Sequence, residues 1–213
     1  HVFSATSTYT NPLKAVEFFR KTGCDALAIS YGTMHGASKG KGVKLRKEIA
    51  IAIKECMMHE NLFGVLVSHG SSTVPGYIVE EINALGGNIQ NAHGISIEEL
   101  KAAIPCGIGK INVDTDIRLA VTRNMKEYFA QHPEKRNSPS IGGVYQLLEE
   151  KREQFDPRAF LPPIMDTVMY GMVPDKDRAE LVEVIEKGVK EAIGTLIVEF
   201  GSYGKAPLVE QVS

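Results

Sequence analysis

Residues 63–72 read FGVLVSHGSS, a short apolar run followed at once by a polar, glycine-containing loop. An apolar run of this length is typical of a strand in a parallel sheet that is buried on both faces. The same pattern occurs at residues 26–30, ALAIS, before the loop 31–42, and at residues 109–113, GKINV, before the loop 114–116. We therefore expect three strands, each followed by the kind of loop in which parallel α/β sheets place their ligands.

Helical patterns separate these strands. Asn11 suits an N-cap, Pro12 the first helical position and Gly23 the end of a helix. The buried face of this first helix is expected to include Leu13, Val16, Phe18 and Phe19. Further helices are predicted over residues 45–60, 75–85, 96–103 and 117–131. Strands that alternate with helices in this order indicate a parallel sheet with right-handed crossovers.

The sequence changes character after residue 131. A stretch with Pro133 and Pro139 resembles a linker, and helices are predicted beyond it over residues 144–154, 160–171 and 175–200, although residues 195–200 also suit a strand. Three strands are too few for a closed eight-stranded barrel, which needs roughly 200 residues or more. The residues alone leave two architectures open: a small open sheet, or the C-terminal part of a longer barrel.

Composition excludes several classes of protein. The chain has 213 residues, 43% of them hydrophobic, and 24 Lys and Arg against 26 Asp and Glu, for a net charge of −2. This balance argues against disorder, collagen and coiled coil, and gives no overall charge for binding nucleic acid. Three cysteines are too few for a disulfide framework, and no apolar run reaches the roughly 20 residues of a membrane helix. We expect a cytoplasmic protein that binds neither nucleic acid nor membrane.

Two histidines and two polar turns carry the candidate chemistry. His35 and His69 each follow a predicted strand, so that their imidazoles can converge on one ion, although catalytic zinc usually has three protein ligands. The runs at residues 70–72 and 112–115 offer backbone N–H groups and hydroxyls of little bulk, the groups that cradle a phosphate.

Taken one at a time, these residues have simpler interpretations. A single histidine at a strand end is usually a hydrogen-bonded surface residue. Ser71 and Ser72 could cap the next helix, and Asp114 and Asp116 could cap the helix after the third strand. An arginine such as Arg118 on a helix is more often solvated than functional.

Three motifs in register outweigh these interpretations. Residues 35–40 (HGASKG), 67–75 (VSHGSSTVP) and 110–118 (KINVDTDIR) resemble, in that order, the class II, metal-dependent fructose-1,6-bisphosphate aldolases. The resemblance extends to residues 9–12, 155–158 and 200–202 and so covers nearly the whole chain. The insertion at residues 88–94 and the long C-terminal segment are similar to the class IIB branch.

The resemblance implies a (β/α)₈ TIM barrel of which this chain supplies the C-terminal part. Residues 1–131 would form βα units with the active-site loops, and residues 132–213 a helical extension packed on the barrel or on a neighbouring subunit. It implies a lyase of glycolysis or the Calvin cycle that cleaves fructose 1,6-bisphosphate reversibly to dihydroxyacetone phosphate and glyceraldehyde 3-phosphate. It also implies a catalytic Zn²⁺, a monovalent cation, and a homodimer or tetramer.

Residue roles follow only where positions match. His35 and His69 match metal ligands. The resemblance assigns the dihydroxyacetone-phosphate half of the substrate to seven residues: Gly36, Gly70, Ser71, Ser72, Asn112, Asp114 and Thr115. Arg118 and Arg158 match arginines that reach the other phosphate, in that family often across a subunit boundary.

The resemblance places the third zinc histidine and the proton-transferring aspartate upstream of His1. We therefore expect no proton-transfer residue in this chain, and no aldol cleavage by these 213 residues alone. Two other functions stay open: a tagatose-bisphosphate aldolase, which differs in stereochemistry at C4, and a non-catalytic fragment that acts as a phosphate-binding or assembly module.

Overall fold

The computed structural model describes residues 9–33 and 42–209. Within them lie three short strands: β1 (Ala26–Ala28), β2 (Val65–Ser68) and β3 (Ile108–Ile111). The helices of the same residues are α1 (Pro12–Thr22), α2 (Lys47–His59), α3 (Gly76–Ala84), α4 (Ile97–Ala103), α5 (Thr115–Gln131), α6 (Gly142–Glu150), α7 (Met165–Tyr170) and α8 (Lys176–Glu199). The protein is thus a helix-rich α/β protein with a small sheet.

The sheet is parallel, as predicted, and its strand order is β1-β2-β3. Leu27 lies beside Leu66, and Leu66 beside Ile108. Beyond the last paired residues, the Asn112 N–H donates to the Ser68 carbonyl at 2.9 Å. Because all three strands run in one direction, the loops that leave them start from the same edge of the sheet.

The described residues form two compact units, each with its own core. The first contains residues 9–33, 42–73, 93–114 and 199–202, and the second residues 74–92, 115–198 and 203–209. In the first unit, helix side chains Val16 and Ile53 share a buried cluster with Leu66 and Ile108 of the sheet. The core of the second is built mainly from α5, α6 and α8. The predicted division at residue 131 into barrel and extension stays a prediction.

The expectation that the strands are buried on both faces holds for most of β2 and is wrong for β1 and β3. Leu66 and Ile108 face the helices and are buried, whereas Ala26 and Ala28 are exposed and Val65 is 41% exposed. Val67 is buried, so the second face is covered only in part. A run of a few apolar residues has no measurable period, and it therefore predicts a strand better than it predicts which of its faces is covered.

Helix α1 begins and ends as predicted. Asn11 Oδ1 accepts a hydrogen bond from the Lys14 N–H at 3.2 Å, and Gly23 adopts a left-handed conformation with φ of +63°. The predicted stripe is only half right, because Val16 and Phe19 are buried together with Ala15, whereas Leu13 and Phe18 are exposed.

The predicted helices of the C-terminal part are confirmed with one interruption. Residues 195–199 continue α8, so the strand alternative there is wrong. The helix predicted over residues 160–171 is reduced to a 3₁₀ turn (Pro162–Ile164) and α7, because the consecutive prolines 162 and 163 have no N–H for a regular helix. No helix among the described residues combines the length and apolar character that a membrane span requires.

Glu99 connects α4 to the chain that leads into α2. Ser96 Oγ caps α4 by accepting from the Glu99 N–H at 3.2 Å. The Glu99 carboxylate accepts from the Leu45 N–H at 3.0 Å, from Lys47 Nζ at 2.8 Å and from Lys44 Nζ at 3.1 Å. The Lys47 hydrogen bond, followed by the Leu45 N–H, lowers the pKa of Glu99 from its ordinary value of 4.5 to about 2.

We expect this carboxylate to make the first unit sensitive to acid. A folded-state pKa of about 2, below the unfolded value, stabilises the protein above pH 4.5, and the contribution is lost as the pH falls toward 2. Glu99→Gln should lower the free energy of unfolding at pH 7 by about 1–3 kcal/mol, and by less at pH 3. Urea denaturation at both pH values measures this. Glu98→Gln, on the exposed side of the same helix, is the control, and an equal loss for Glu99→Gln at both pH values would contradict the assignment.

Candidate functional site

The loop after β2 brings His69 next to Asn112. The His69 side chain is exposed, and its Nε2 and Nδ1 atoms lie 3.0 Å and 3.5 Å from Asn112 Nδ2. Asn112 directly follows β3, the neighbouring strand, and its backbone bond to Ser68 holds it there. The Asn112 amide nitrogen is a hydrogen-bond donor, so in this contact a ring nitrogen of His69 acts as the acceptor. Two residues that the sequence assigned to one site are therefore adjacent.

A buried chain of hydroxyl groups connects this loop to the interior of the first unit. Tyr31 Oη lies 2.6 Å from Ser68 Oγ, which lies 2.6 Å from Ser71 Oγ, and all three residues are fully buried. Burial raises the pKa of Tyr31 and outweighs the opposing hydrogen bond from Ser68, so the phenol stays neutral. The sequence analysis assigned no role to Tyr31 or Ser68. Their only signal was position, since each stands at the end of an apolar run.

Ser72 joins the loop to two later segments of the first unit. Its Oγ accepts from the Asp114 N–H at 3.2 Å, and its carbonyl accepts from the Ile95 N–H at 3.1 Å. Gly94 lies against the same backbone: a Cβ atom there would overlap the Thr73 carbonyl group and approach the Ser72 carbonyl oxygen to 2.5 Å. The exposed Asp114 and the buried Ser72 are thus held next to each other through the backbone.

The second unit begins with a strained residue, Val74. Its φ is +51°, an uncommon value for a β-branched side chain, and the side chain is buried. The Val74 N–H donates to Asp116 Oδ1 at 2.9 Å, and Asp116 is 3% exposed. The sequence suggested that Asp116 caps α5, but α5 begins at Thr115, so Asp116 lies inside the first turn of the helix and its carboxylate accepts from the strained Val74 instead.

The two candidate arginines of the second unit share one carboxylate. Asp156 Oδ2 accepts from Arg118 Nη1 and, at 2.5 Å, from Arg158 Nη2. Arg158 Nε lies 3.0 Å from both carboxylate oxygens. The hydrogen bonds from Arg158 are the main reason why the pKa of Asp156 is lowered, and the charge of Arg118 adds to the effect. The structure therefore places Arg118 and Arg158 together, and it reveals Asp156, to which the sequence analysis gave no role.

The predicted site residues are divided between the two units. Gly70, Ser71, Ser72, Asn112 and Asp114 belong to the first unit, and Thr115, Arg118 and Arg158 to the second. His35 and Gly36 lie outside the described residues, as does the rest of the loop at 34–41. Among residues 9–33 and 42–209, no three His, Cys, Asp or Glu side chains are grouped to hold a metal ion. His69 is exposed and lies beside Asn112, and its role as a metal ligand, like the roles of the other residues, stays a prediction.

Comparisons with known proteins extend over nearly the whole chain. Residues 1–205 match the sequence profile described as fructose-bisphosphate aldolase class-II. The fructose-bisphosphate aldolase of Giardia intestinalis is 38% identical over 170 residues, which cover 79% of this chain and 46% of that protein. That of Thermus caldophilus is 34% identical over 197 residues, 92% of this chain and 50% of the relative.

A solved structure shows the same fold. A candidate fructose-1,6-biphosphate aldolase from Coccidioides immitis superimposes with a TM-score of 0.53 at 19% identity, covering 94% of this chain and 46% of that one. The chain spans about half the length of the curated relatives it matches. On the profile match and these relatives, the chain belongs to the class II fructose-bisphosphate aldolase family.

Proposed function

We propose that the protein containing this chain is a lyase that cleaves fructose 1,6-bisphosphate reversibly to dihydroxyacetone phosphate and glyceraldehyde 3-phosphate. The observation that carries the proposal is the placement of His69 beside Asn112 in a chain that matches the family over residues 1–205. The proposal includes a (β/α)₈ barrel, a homodimer or tetramer, and a cytoplasmic role in glycolysis or the Calvin cycle.

The loop after β2 and the residues after β3 would bind the dihydroxyacetone-phosphate half of the substrate. Ser71 is fully buried and its hydroxyl contacts Ser68, so it would support the loop from inside. Gly70 has a φ of +63°, which glycine adopts without strain and which shapes the turn around an anion. Seven residues are assigned to this half of the substrate: Gly36, Gly70, Ser71, Ser72, Asn112, Asp114 and Thr115.

Arg118 and Arg158 would bind the second phosphate of the bisphosphate. A guanidinium group presents paired donors in one plane, which match two oxygens of a phosphate. The Arg158 side chain is 72% exposed, and a ligand can therefore reach it from solvent.

The metal of this family would be a Zn²⁺ held by His69 together with His35, and a monovalent cation would bind through backbone carbonyls. When bound, zinc supplies a Lewis acid for the substrate carbonyl. We assign no proton transfer to a described residue.

The test is a coupled assay of the protein that contains this chain, with fructose 1,6-bisphosphate and tagatose 1,6-bisphosphate as separate substrates. We expect cleavage of the fructose compound to be at least about tenfold more efficient, a difference of about 1.4 kcal/mol in the activation barrier. Activity should disappear with a chelator and return with Zn²⁺. If the protein prefers tagatose 1,6-bisphosphate, then that compound, and not fructose 1,6-bisphosphate, is its substrate. Binding of either bisphosphate without cleavage would identify a phosphate-binding module instead.

A further inference from the structure

We propose that Asp156 is a positioning residue, which holds Arg118 and Arg158 side by side as a two-arginine clamp for a phosphate group. This inference rests on the proposed function, because it takes that phosphate to be the second one of the sugar bisphosphate. It adds a residue to which neither the sequence motifs nor the fold had given a role.

The carboxylate itself has a fixed position. On α5, the buried Thr122 follows Arg118 by one helical turn, and its hydroxyl donates to the Phe155 carbonyl at 2.8 Å. Pro157, on the other side of Asp156, is buried and has a restricted φ. The Arg158 N–H also donates to Asp156 Oδ1 at 3.0 Å, which caps the short turn of residues 157–159. Asp156 is therefore anchored on both sides along the backbone.

The arginines depend on this anchor to different degrees. The Arg118 side chain is 27% exposed and comes from a helix, whereas that of Arg158 is 72% exposed and comes from a short turn. A long side chain with that exposure has many accessible rotamers unless a partner selects one. Asp156 contacts both Nε and Nη2 of Arg158, so it fixes the plane of the guanidinium as well as its distance from Arg118.

The net charge of Arg118, Arg158 and Asp156 favours the binding of an anion. Two guanidinium groups and one carboxylate carry a net charge of +1. Each guanidinium has five N–H donors in one plane, a geometry that suits the oxygens of a phosphate. The arrangement brings two like charges together before the ligand arrives, so the ligand does not have to supply the free energy for that approach.

The alternative interpretation, that Asp156 competes with the ligand, predicts the opposite change in phosphate affinity. If Asp156 only competed with phosphate for the arginines, its neutralisation would raise the local charge to +2 and strengthen binding. If Asp156 positions the arginines, the same neutralisation weakens binding. Asp156→Asn distinguishes the two, because asparagine keeps the oxygen that caps the turn and removes the charge.

The experiment measures binding apart from turnover. Calorimetry is carried out with hexitol 1,6-bisphosphate, an analogue that cannot be cleaved. The Kd of Asp156→Asn for this analogue should be roughly tenfold higher than that of the wild type. Its Kd for dihydroxyacetone phosphate should stay within about twofold of the wild-type value. In the cleavage assay, KM should rise by a similar factor with kcat nearly unchanged. Asp166→Asn is the matched control, since Asp166 pairs with Arg178 in the same unit at 2.7 Å, and it should change neither constant.

Two outcomes separate the claims, and a further variant supports the test. A wild-type protein that binds the analogue, with an Asp156→Asn variant that binds it equally or more tightly, overturns the positioning role and leaves the proposed function standing. A wild-type protein that does not bind the analogue overturns the proposed function and this inference with it. Arg158→Lys, at a largely exposed position, keeps the charge and removes the planar group, and it should weaken binding about as much as Asp156→Asn even if the latter variant proves unstable.

Discussion

Replacing His69 with alanine is expected to lower kcat/KM for fructose 1,6-bisphosphate by about 1,000-fold or more, because loss of a metal ligand removes several kcal/mol of transition-state stabilisation. The variant should also retain less zinc after dialysis, as measured by mass spectrometry of the metal. The fold should persist, since His69 is exposed and contributes no side chain to the core.

His59→Ala is the matched control. His59 is an exposed histidine at the end of α2 in the same unit, and its removal should leave zinc content and kcat/KM within about twofold of wild type. If His69→Ala kept its zinc and stayed within tenfold of the wild-type rate, the metal assignment of His69 would be wrong.

Gly94→Ala is expected to lower the free energy of unfolding by about 3 kcal/mol or more. The added methyl group would overlap the Thr73 carbonyl group and lie 2.5 Å from the Ser72 carbonyl oxygen. These are backbone atoms, which cannot rotate away as a side chain can. The Ile95 N–H bond to Ser72 is next to the clash, so the loop that carries His69 and Ser72 would have to shift. We expect a loss of phosphate affinity in parallel.

Gly76→Ala and Gly194→Ala provide the comparison, since a Cβ atom at either position meets nothing within 4 Å and neither residue has a left-handed backbone. Both lie in helices, where alanine is favoured over glycine by about 1 kcal/mol. Urea denaturation should therefore show unchanged or increased stability for these two and a large decrease for Gly94→Ala. Equal midpoints for all three variants would show that the backbone at Gly94 is not tightly packed.

The parts of the fold that depend on local chemistry were predictable. Asn11, Pro12 and Gly23 act within four residues of one another or of a helix end, so their effect can be read without the rest of the chain. The same holds for Ser96 at the start of α4. The parallel sheet was predictable because each strand is separated from the next by a helix, and such connections leave little choice of direction.

The parts that depend on distant contacts were not predictable. Leu13 and Ala15 both fit a face of α1, and only the packed partner decides that Ala15 is the buried one. Tyr31 and Ser68 are 37 residues apart, and Arg118 and Asp156 are 38 apart. No motif spacing encodes such pairs, so the sequence indicated the candidate ligand-binding groups and missed those that support them.

The two proposed phosphate-binding sets use different kinds of group, and ionic strength should separate them. The loop after β2 rests on the uncharged chain from Tyr31 to Ser71, whereas the other set depends on two full positive charges at Arg118 and Arg158. Dissolved ions screen exposed charges over about 10 Å at 0.1 M, and Arg158 is the more exposed of the pair. As potassium chloride is added, phosphate affinity at the arginine pair should fall well before phosphate affinity at the loop after β2.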